Sequence, residues 1–303
     1  MKTAELNPHT RGITKTFWYH LMAILTVSIW GTTFVSTKVL INYGMTPVEI
    51  LFYRFLLAYC CIWFISPRRL FAKSWKDEGL FISCGLCGGS LYFVSENTAL
   101  GITLASNVSL IICTTPIMTA FILYLLRKTE TLTRNLLLGS FMALGGVALV
   151  VFNGSFILKI SPLGDLLTLF AALMWAFYCL ILKRLDSRYP TLLITRKVFF
   201  YGVVTLIPFL PFYPVRFETS ILFQPVVLVN LLFLGFIASM VCFIMWNMAV
   251  KQLGAVYTTN YIYIVPLVTL VTSALIIDEK ITWIALIGCT LILCGVYLAE
   301  RKK

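Results

Sequence analysis

Residues 97–119 read NTALGITLASNVSLIICTTPIMT, and residues 247–269 read NMAVKQLGAVYTTNYIYIVPLVT. At a shift of 150 they pair Asn97 with Asn247, Ala99 with Ala249, Ala105 with Ala255, Ile112 with Ile262, Pro116 with Pro266 and Thr119 with Thr269. The same shift places Gly85 on Gly235 and Phe93 on Phe243. With slight drift, Glu130 meets Glu279, Gly139 meets Gly288, Gly146 meets Gly295, Trp30 meets Trp175 and Lys38 meets Lys183. Ordered matches with small drift are what a duplicated unit with loop insertions leaves behind.

The 303-residue chain around these stretches is 60% hydrophobic and 12% charged. Soluble domains average roughly 45–50% and 25%. A mean hydropathy of +0.93 excludes both a water-soluble globule of this size and a disordered chain. What remains is an all-α polytopic membrane protein. A spanning helix needs about 20 mostly apolar residues. Breaks at polar, Pro and Gly positions then give ten spans: Phe17–Ile41, Pro47–Ile65, Gly79–Leu100, Thr103–Leu126, Asn135–Phe152, Pro162–Lys183, Pro190–Phe212, Pro225–Val250, Gly254–Ile277 and Ile281–Ala299.

Charge sets the orientation. Counting alternate connecting segments from the N-terminus collects 17 of the 24 Lys and Arg residues on one side; the other side holds only Lys159, Arg216 and Lys280. Lys38, Arg54, Arg196 and Lys197 fall within spans. The positive-inside rule puts both termini in the cytoplasm. Each repeat holds five spans, an odd number, so the second copy enters the membrane from the opposite side. The expected fold is ten transmembrane helices as two inverted five-helix repeats. A cytoplasmic segment 1–16 comes first, then repeats 17–152 and 162–299, then a basic tail 300–303. Inverted repeats of this kind build transporters, because oppositely oriented halves can exchange roles about a central site.

Other classes lose ground on the same residues. The net charge of +12 sits in clusters between apolar runs, so no basic face with stacking aromatics offers itself to nucleic acid. The nine cysteines each lie in an apolar run, where they act as small hydrophobes; the Cys84/Cys87 pair has no second pair or histidine to complete a metal site. No export signal is evident before the first span. Only His9 and His20 are present, no HExxH or phosphate-binding glycine loop occurs, and no catalytic set forms. The chain is expected to be no enzyme and to use no metal or cofactor. Its expected partners are a small-molecule substrate and the lipid bilayer of the cytoplasmic membrane, as monomer or dimer.

Each half closes with the same pattern: Ala99, Ala105, Pro116, Glu130, Gly139 and Gly146, then Ala249, Ala255, Pro266, Glu279, Gly288 and Gly295. With Trp30-Gly31 on the first span and Arg54-Phe55 on the second, the chain resembles the EamA family of the drug/metabolite transporter superfamily over essentially its whole length. The resemblance implies a ten-helix fold, a central cavity lined from both halves, and transport of small metabolites, often outward. Trp175 is followed by Ala176 rather than Gly, and Lys197 stands opposite Arg54, which bears on the symmetry of the site.

Polar groups in hydrocarbon are expensive and therefore functional candidates. Glu96 reads as a group for a substrate ammonium, a proton carrier, or the partner of Arg54 or Lys38. Arg54 snorkels or pairs with Glu96 or Glu49; with Lys38, Glu49 and Lys197 it forms the set of gating or charge-pair candidates. Asn97 and Asn247 read as interhelical hydrogen-bonders or substrate contacts. Trp30, Tyr92, Trp175, Tyr178, Trp246 and Tyr261 are candidates for an aromatic cavity. Pro116 and Pro266 bend their helices and free the carbonyls of Ile112 and Ile262. The expected activity is secondary-active or facilitative transport by alternating access, exporting amino acids or related amphipathic compounds. The alternatives are an exchanger of phosphorylated or nucleotide-linked sugars, or a non-transporting scaffold or receptor.

Overall fold

The computed structural model describes residues 8–66, 71–103, 105–126, 133–152, 161–212, 219–276 and 282–300. Glu130, Glu279, Lys159, Arg216 and Lys280 lie outside them. Among the described residues the chain is helical, with no strand. Seven helices there are long and apolar enough to cross a membrane, which makes this a multi-pass membrane protein.

The first helix is α1 (Pro8–Asn42), and α2 (Pro47–Ile65) follows a tight turn. Thr46 starts α2 with a reciprocal capping box: its hydroxyl accepts from the Glu49 N–H at 3.2 Å, and its own N–H donates to Glu49 Oε2 at 2.7 Å. Two of the helix's orphan donors are thereby satisfied. Next, α3 (Trp75–Ile102) begins at Ser74, whose hydroxyl accepts from the Asp77 N–H, with Asp77 and Glu78 in the first turn where the helix dipole favours acids. It is interrupted at Leu86–Ser90 by one π turn.

The next stretch is not one continuous span. It divides into α4 (Ala105–Ile112) and α5 (Thr115–Leu125). Pro116 sits in the first turn of α5, where a missing N–H costs nothing, so the chain breaks one turn ahead of the proline instead of bending at it. Then come α6 (Arg134–Phe152), α7 (Pro162–Asp186) and α8 (Thr191–Val204), with a 3₁₀ turn at Ile207–Phe209. α7 runs three residues beyond the expected end at Lys183. A long π run, Phe233–Val241, lies inside α9 (Pro225–Leu253). Gly254, at φ 94°, turns the chain directly into α10 (Ala255–Asn260). A 3₁₀ turn at Tyr261–Ile264 leads into α11 (Val265–Ile276), and α12 (Trp283–Glu300) ends the described chain.

α6 and α12 pack through glycines. A Cβ on Gly139 would sit 2.5 Å from the Gly295 carbonyl oxygen, and one on Gly295 would sit 2.6 Å from that of Gly139. Gly146 likewise lies against Gly288. Moving up α6 from Gly139 to Gly146 means moving down α12 from Gly295 to Gly288, so the two helices are antiparallel. Bare backbones allow this approach, as small residues do in membrane packing.

At the centre, Phe55, Phe93, Phe199 and Phe243 form one aromatic cluster. Its ring centroids lie 5.0 Å apart for Phe55–Phe199, 5.4 Å for Phe55–Phe93 and 5.3 Å for Phe199–Phe243. Trp30 and Trp175, one from each half of the sequence, meet edge to face at 5.2 Å above it. Such pairs add about 0.5–1.5 kcal/mol beyond the area they bury.

Candidate functional site

Beside the tryptophan pair lies a cavity walled by α1, α2, α3, α7 and both helix breaks. Five of the sequence candidates stand in its wall: Trp30, Arg54, Tyr92, Glu96 and Trp175. Glu96 is 6% exposed and Arg54 2%. The Tyr92 hydroxyl donates to Glu96 Oε1 at 2.7 Å from one turn back on α3. Arg54 Nε donates to Ser239 Oγ at 3.0 Å, and its guanidinium carbon lies 4.3 Å from the Phe93 ring centroid. No direct bridge joins Arg54 to Glu96 among the described residues, although each feels the other's charge. Among the described residues the cavity therefore presents one carboxyl and one guanidinium, each held by its own neighbours, in an aromatic wall.

Other candidates stand behind this wall. Trp246 is fully buried against Trp30 and Trp175, at 5.0 and 6.0 Å between ring centroids. Tyr178 donates to Asn247 Oδ1 at 2.6 Å, and Asn247 Nδ2 donates to Thr195 Oγ1 at 2.9 Å, tying α7, α9 and α8 together. Asn97 Nδ2 donates to the Pro47 carbonyl at 3.2 Å, holding α3 to the start of α2. Tyr261 meets His20 Nδ1 at 2.5 Å on the 3₁₀ turn. The Ile112 and Ile262 carbonyls freed at the breaks are taken by Thr115 Oγ1 at 2.6 Å and Cys113 Sγ at 3.7 Å, so neither faces the cavity unpartnered. Trp30 Nε1 donates to the Ala238 carbonyl inside the π run of α9, at 2.9 Å.

The charge-pair candidates separate. Lys38 Nζ donates to the Leu100 carbonyl at 2.7 Å, neutralising the C-terminal end of α3. Glu49 serves the capping box of α2. Lys197 pairs with Glu78 outside the cavity.

That last pair belongs to a cluster the sequence reading did not anticipate. At the end of the molecule where α2 finishes and α3 begins, Glu78 binds Lys197 and the Tyr201 hydroxyl, and accepts from the Ala72 N–H at 2.6 Å. Asp77 binds Arg188 and accepts from Tyr189 at 2.7 Å; Tyr189 in turn accepts from the Lys73 N–H at 3.0 Å. Burial, then the bond to Asp77, raises the Tyr189 phenol, which stays a donor. Arg196 reaches the Ser66 carbonyl. The sequence offered Lys197 as a charge without naming its partner, and acidic residues in a first helical turn, which local capping already explains. The opposite end closes on side chains of another kind: Leu40, Met45 and Ile50 pack against Val227, Leu231 and Leu234.

The model of the EamA-like transporter family matches residues 17–152 and 162–300. A protein described as an uncharacterized transporter from Archaeoglobus fulgidus is 30% identical over 94% of this chain and 98% of its own. The Escherichia coli protein named "Probable amino-acid metabolite efflux pump" is 24% identical over 92% of this chain and 93% of its own. A "Probable terminal-alkyne amino-acid exporter" from Streptantibioticus cattleyicolor is 27% identical over 92% of each. A solved crystal structure at 18% identity superposes with a TM-score of 0.73, covering 95% of this chain and 96% of the other, which supports the fold.

Proposed function

The chain belongs to the EamA-like transporter family, and from that premise we propose that it exports amino acids or related amphipathic compounds by alternating access. The observation that carries this reading is the cavity wall: one guanidinium, one carboxylate, and aromatic faces between them. A zwitterion fits that pattern, with its carboxylate at Arg54, its ammonium at Glu96 and its apolar body against Trp30 and Trp175. A sugar phosphate fits poorly, because its dianion would meet a single cation with an acid in the same wall. The names of the two amino-acid-exporting relatives agree with this choice.

Our reading of the architecture is two inverted five-helix units, 17–152 and 162–299, with both termini cytoplasmic. Its support is internal. The contacts of Gly139 with Gly295 and of Gly146 with Gly288 exchange under the repeat, as a twofold relation requires. Both third helices carry a π turn, at Leu86–Ser90 and within Phe233–Val241, and both fourth helices break before their prolines. The polar cluster around Glu78 then lies on the cytoplasmic face and the leucine-rich closure on the outer one.

The test is counterflow into proteoliposomes. Labelled leucine, phenylalanine and threonine, with glucose 6-phosphate as the contrasting solute, should show uptake driven by unlabelled amino acid inside. Exclusive uptake of the sugar phosphate would reverse the substrate assignment, and no uptake of any solute would favour a scaffold.

A further inference from the structure

The end that carries the Glu78 and Asp77 cluster also holds a buried carboxylate without a hydrogen-bond partner among the described residues. Asp186 is the last residue of α7, is 6% exposed, and has no hydrogen-bond partner on either carboxylate oxygen among the described residues. The acids around it differ: Asp77 is held by Arg188 and Tyr189, and Glu78 by Lys197, Tyr201 and a backbone N–H.

Among the described residues, few charged or titratable groups face Asp186. On α7 itself, Lys183 is exposed one turn back, and Tyr178 gives its proton to Asn247. From α3 comes the Cys84 thiol, and from the last turn of α9 the exposed Lys251. Beyond the helix end, Arg188 and Tyr189 are turned to Asp77; on α8, Lys197 is taken by Glu78 and Arg196 by the Ser66 carbonyl.

An ionised carboxylate here is penalised twice. It has left water without gaining a donor, and it sits at the negative end of the α7 dipole. Lys251, out at the surface, offsets only part of that. The neutral acid avoids both costs. A hard metal cation is a poor alternative, since it needs several oxygen ligands and the neighbours supply a thiol, an ammonium and a phenol already engaged.

We propose that Asp186 is a proton-binding site, occupied while this end of the molecule is closed and emptied when it opens to water. The linkage to opening rests on the alternating-access reading above; the bound proton does not. A form that holds one extra proton is favoured as pH falls, by at most about tenfold per pH unit. Acidification on the cytoplasmic side therefore holds this end shut and slows loading of substrate, and alkalinity releases it.

Infrared spectroscopy of the purified chain in lipid nanodiscs reads the proton with no substrate present. At neutral pH, Asp186→Asn should remove a component of the protonated-carboxyl band that Glu96→Gln leaves in place, and Asp186→Glu should shift that component without removing it. A band unchanged in Asp186→Asn means that the carboxylate is ionised, and the site is lost. Amide hydrogen exchange over residues 75–80 and 187–197, corrected for its intrinsic pH dependence, reads the linkage. Protection should rise in the wild type as pH falls from about 8 to about 6; Asp186→Asn, shaped like the neutral acid, should stay protected throughout. A wild-type pH response in Asp186→Asn would break the linkage. Amino-acid counterflow stands or falls separately from both results.

Discussion

Glu96 and Arg54 are held on opposite terms. Glu96 takes a proton donor from Tyr92 on its own helix, whereas Arg54 reaches across to Ser239 on α9. Losing a charged hydrogen-bond partner costs about 1.5–3 kcal/mol, so Glu96→Gln and Arg54→Met should each weaken amino-acid binding about 10- to 100-fold. Isothermal titration with leucine and with its decarboxylated amine separates the two: Arg54→Met should spare the amine. Tyr178→Phe should leave binding nearly intact and cost about 0.6 kcal/mol of stability, an average membrane hydrogen bond, measured by unfolding in mixed detergent micelles.

Both cavity charges were legible because an ionisable residue in an apolar run stands out. The same criterion also raised Lys38 and Glu49, and it could not tell them apart, since a long side chain's partner is set by whichever backbone group is left bare nearby. Lys38 found the Leu100 carbonyl and Glu49 the Thr46 N–H. Asp186 went unnoticed because a hydropathy boundary at Lys183 placed it outside the membrane, one turn short of where α7 ends.

At the scale of elements, the α6–α12 contact tolerates nothing larger than glycine at Gly139, where even a first carbon would meet backbone at 2.5 Å. Gly139→Leu should cost more than the roughly 1–3 kcal/mol typical of overpacking, because backbone must move; thermal inactivation in detergent should show it, with Gly145→Ala, which meets open space, as the unaffected control. The Glu78–Lys197 pair predicts a loss confined to one end. Removing one partner of a buried pair costs about 3–5 kcal/mol, so Lys197→Met should raise amide exchange at residues 75–80 while leaving 227–234 unchanged. Exchange rising equally at both ends would mean general destabilisation. Sequence reading marked the long apolar helices, but it expected bends at Pro116 and Pro266, where the helices instead break ahead of the proline. It missed the π turns, because one extra residue per turn leaves apolar composition untouched.

For the molecule as a whole, the two ends differ in kind: ionic contacts at one, aliphatic packing at the other. Peptide tags inserted at 127–132 and at 277–281 should report opposite faces of the membrane, the first cytoplasmic. Tags on the same face would remove the inversion on which alternating access depends. The duplication was readable directly from aligned residues, whereas the unlike chemistry of the ends was not. Val227 and Leu228 stand at a shift of 150 from Asp77 and Glu78, and only the folded chain reveals that Val227 is buried in the aliphatic cluster while Asp77 and Glu78 hold the ionic one.

The π turn at Leu86–Ser90 fixes something no lining residue controls. There the Leu91 N–H reaches back five residues to the Leu86 carbonyl, so one surplus residue is stored within α3. Excising it, for instance by deleting Gly88, would restore ordinary winding and rotate one part of the helix against the other by about 100°. Tyr92 and Glu96 would keep their identity, their spacing and their mutual bond, yet swing together out of the cavity. The phase of a single helix is thus as much a determinant of what this cavity presents as the side chains that line it.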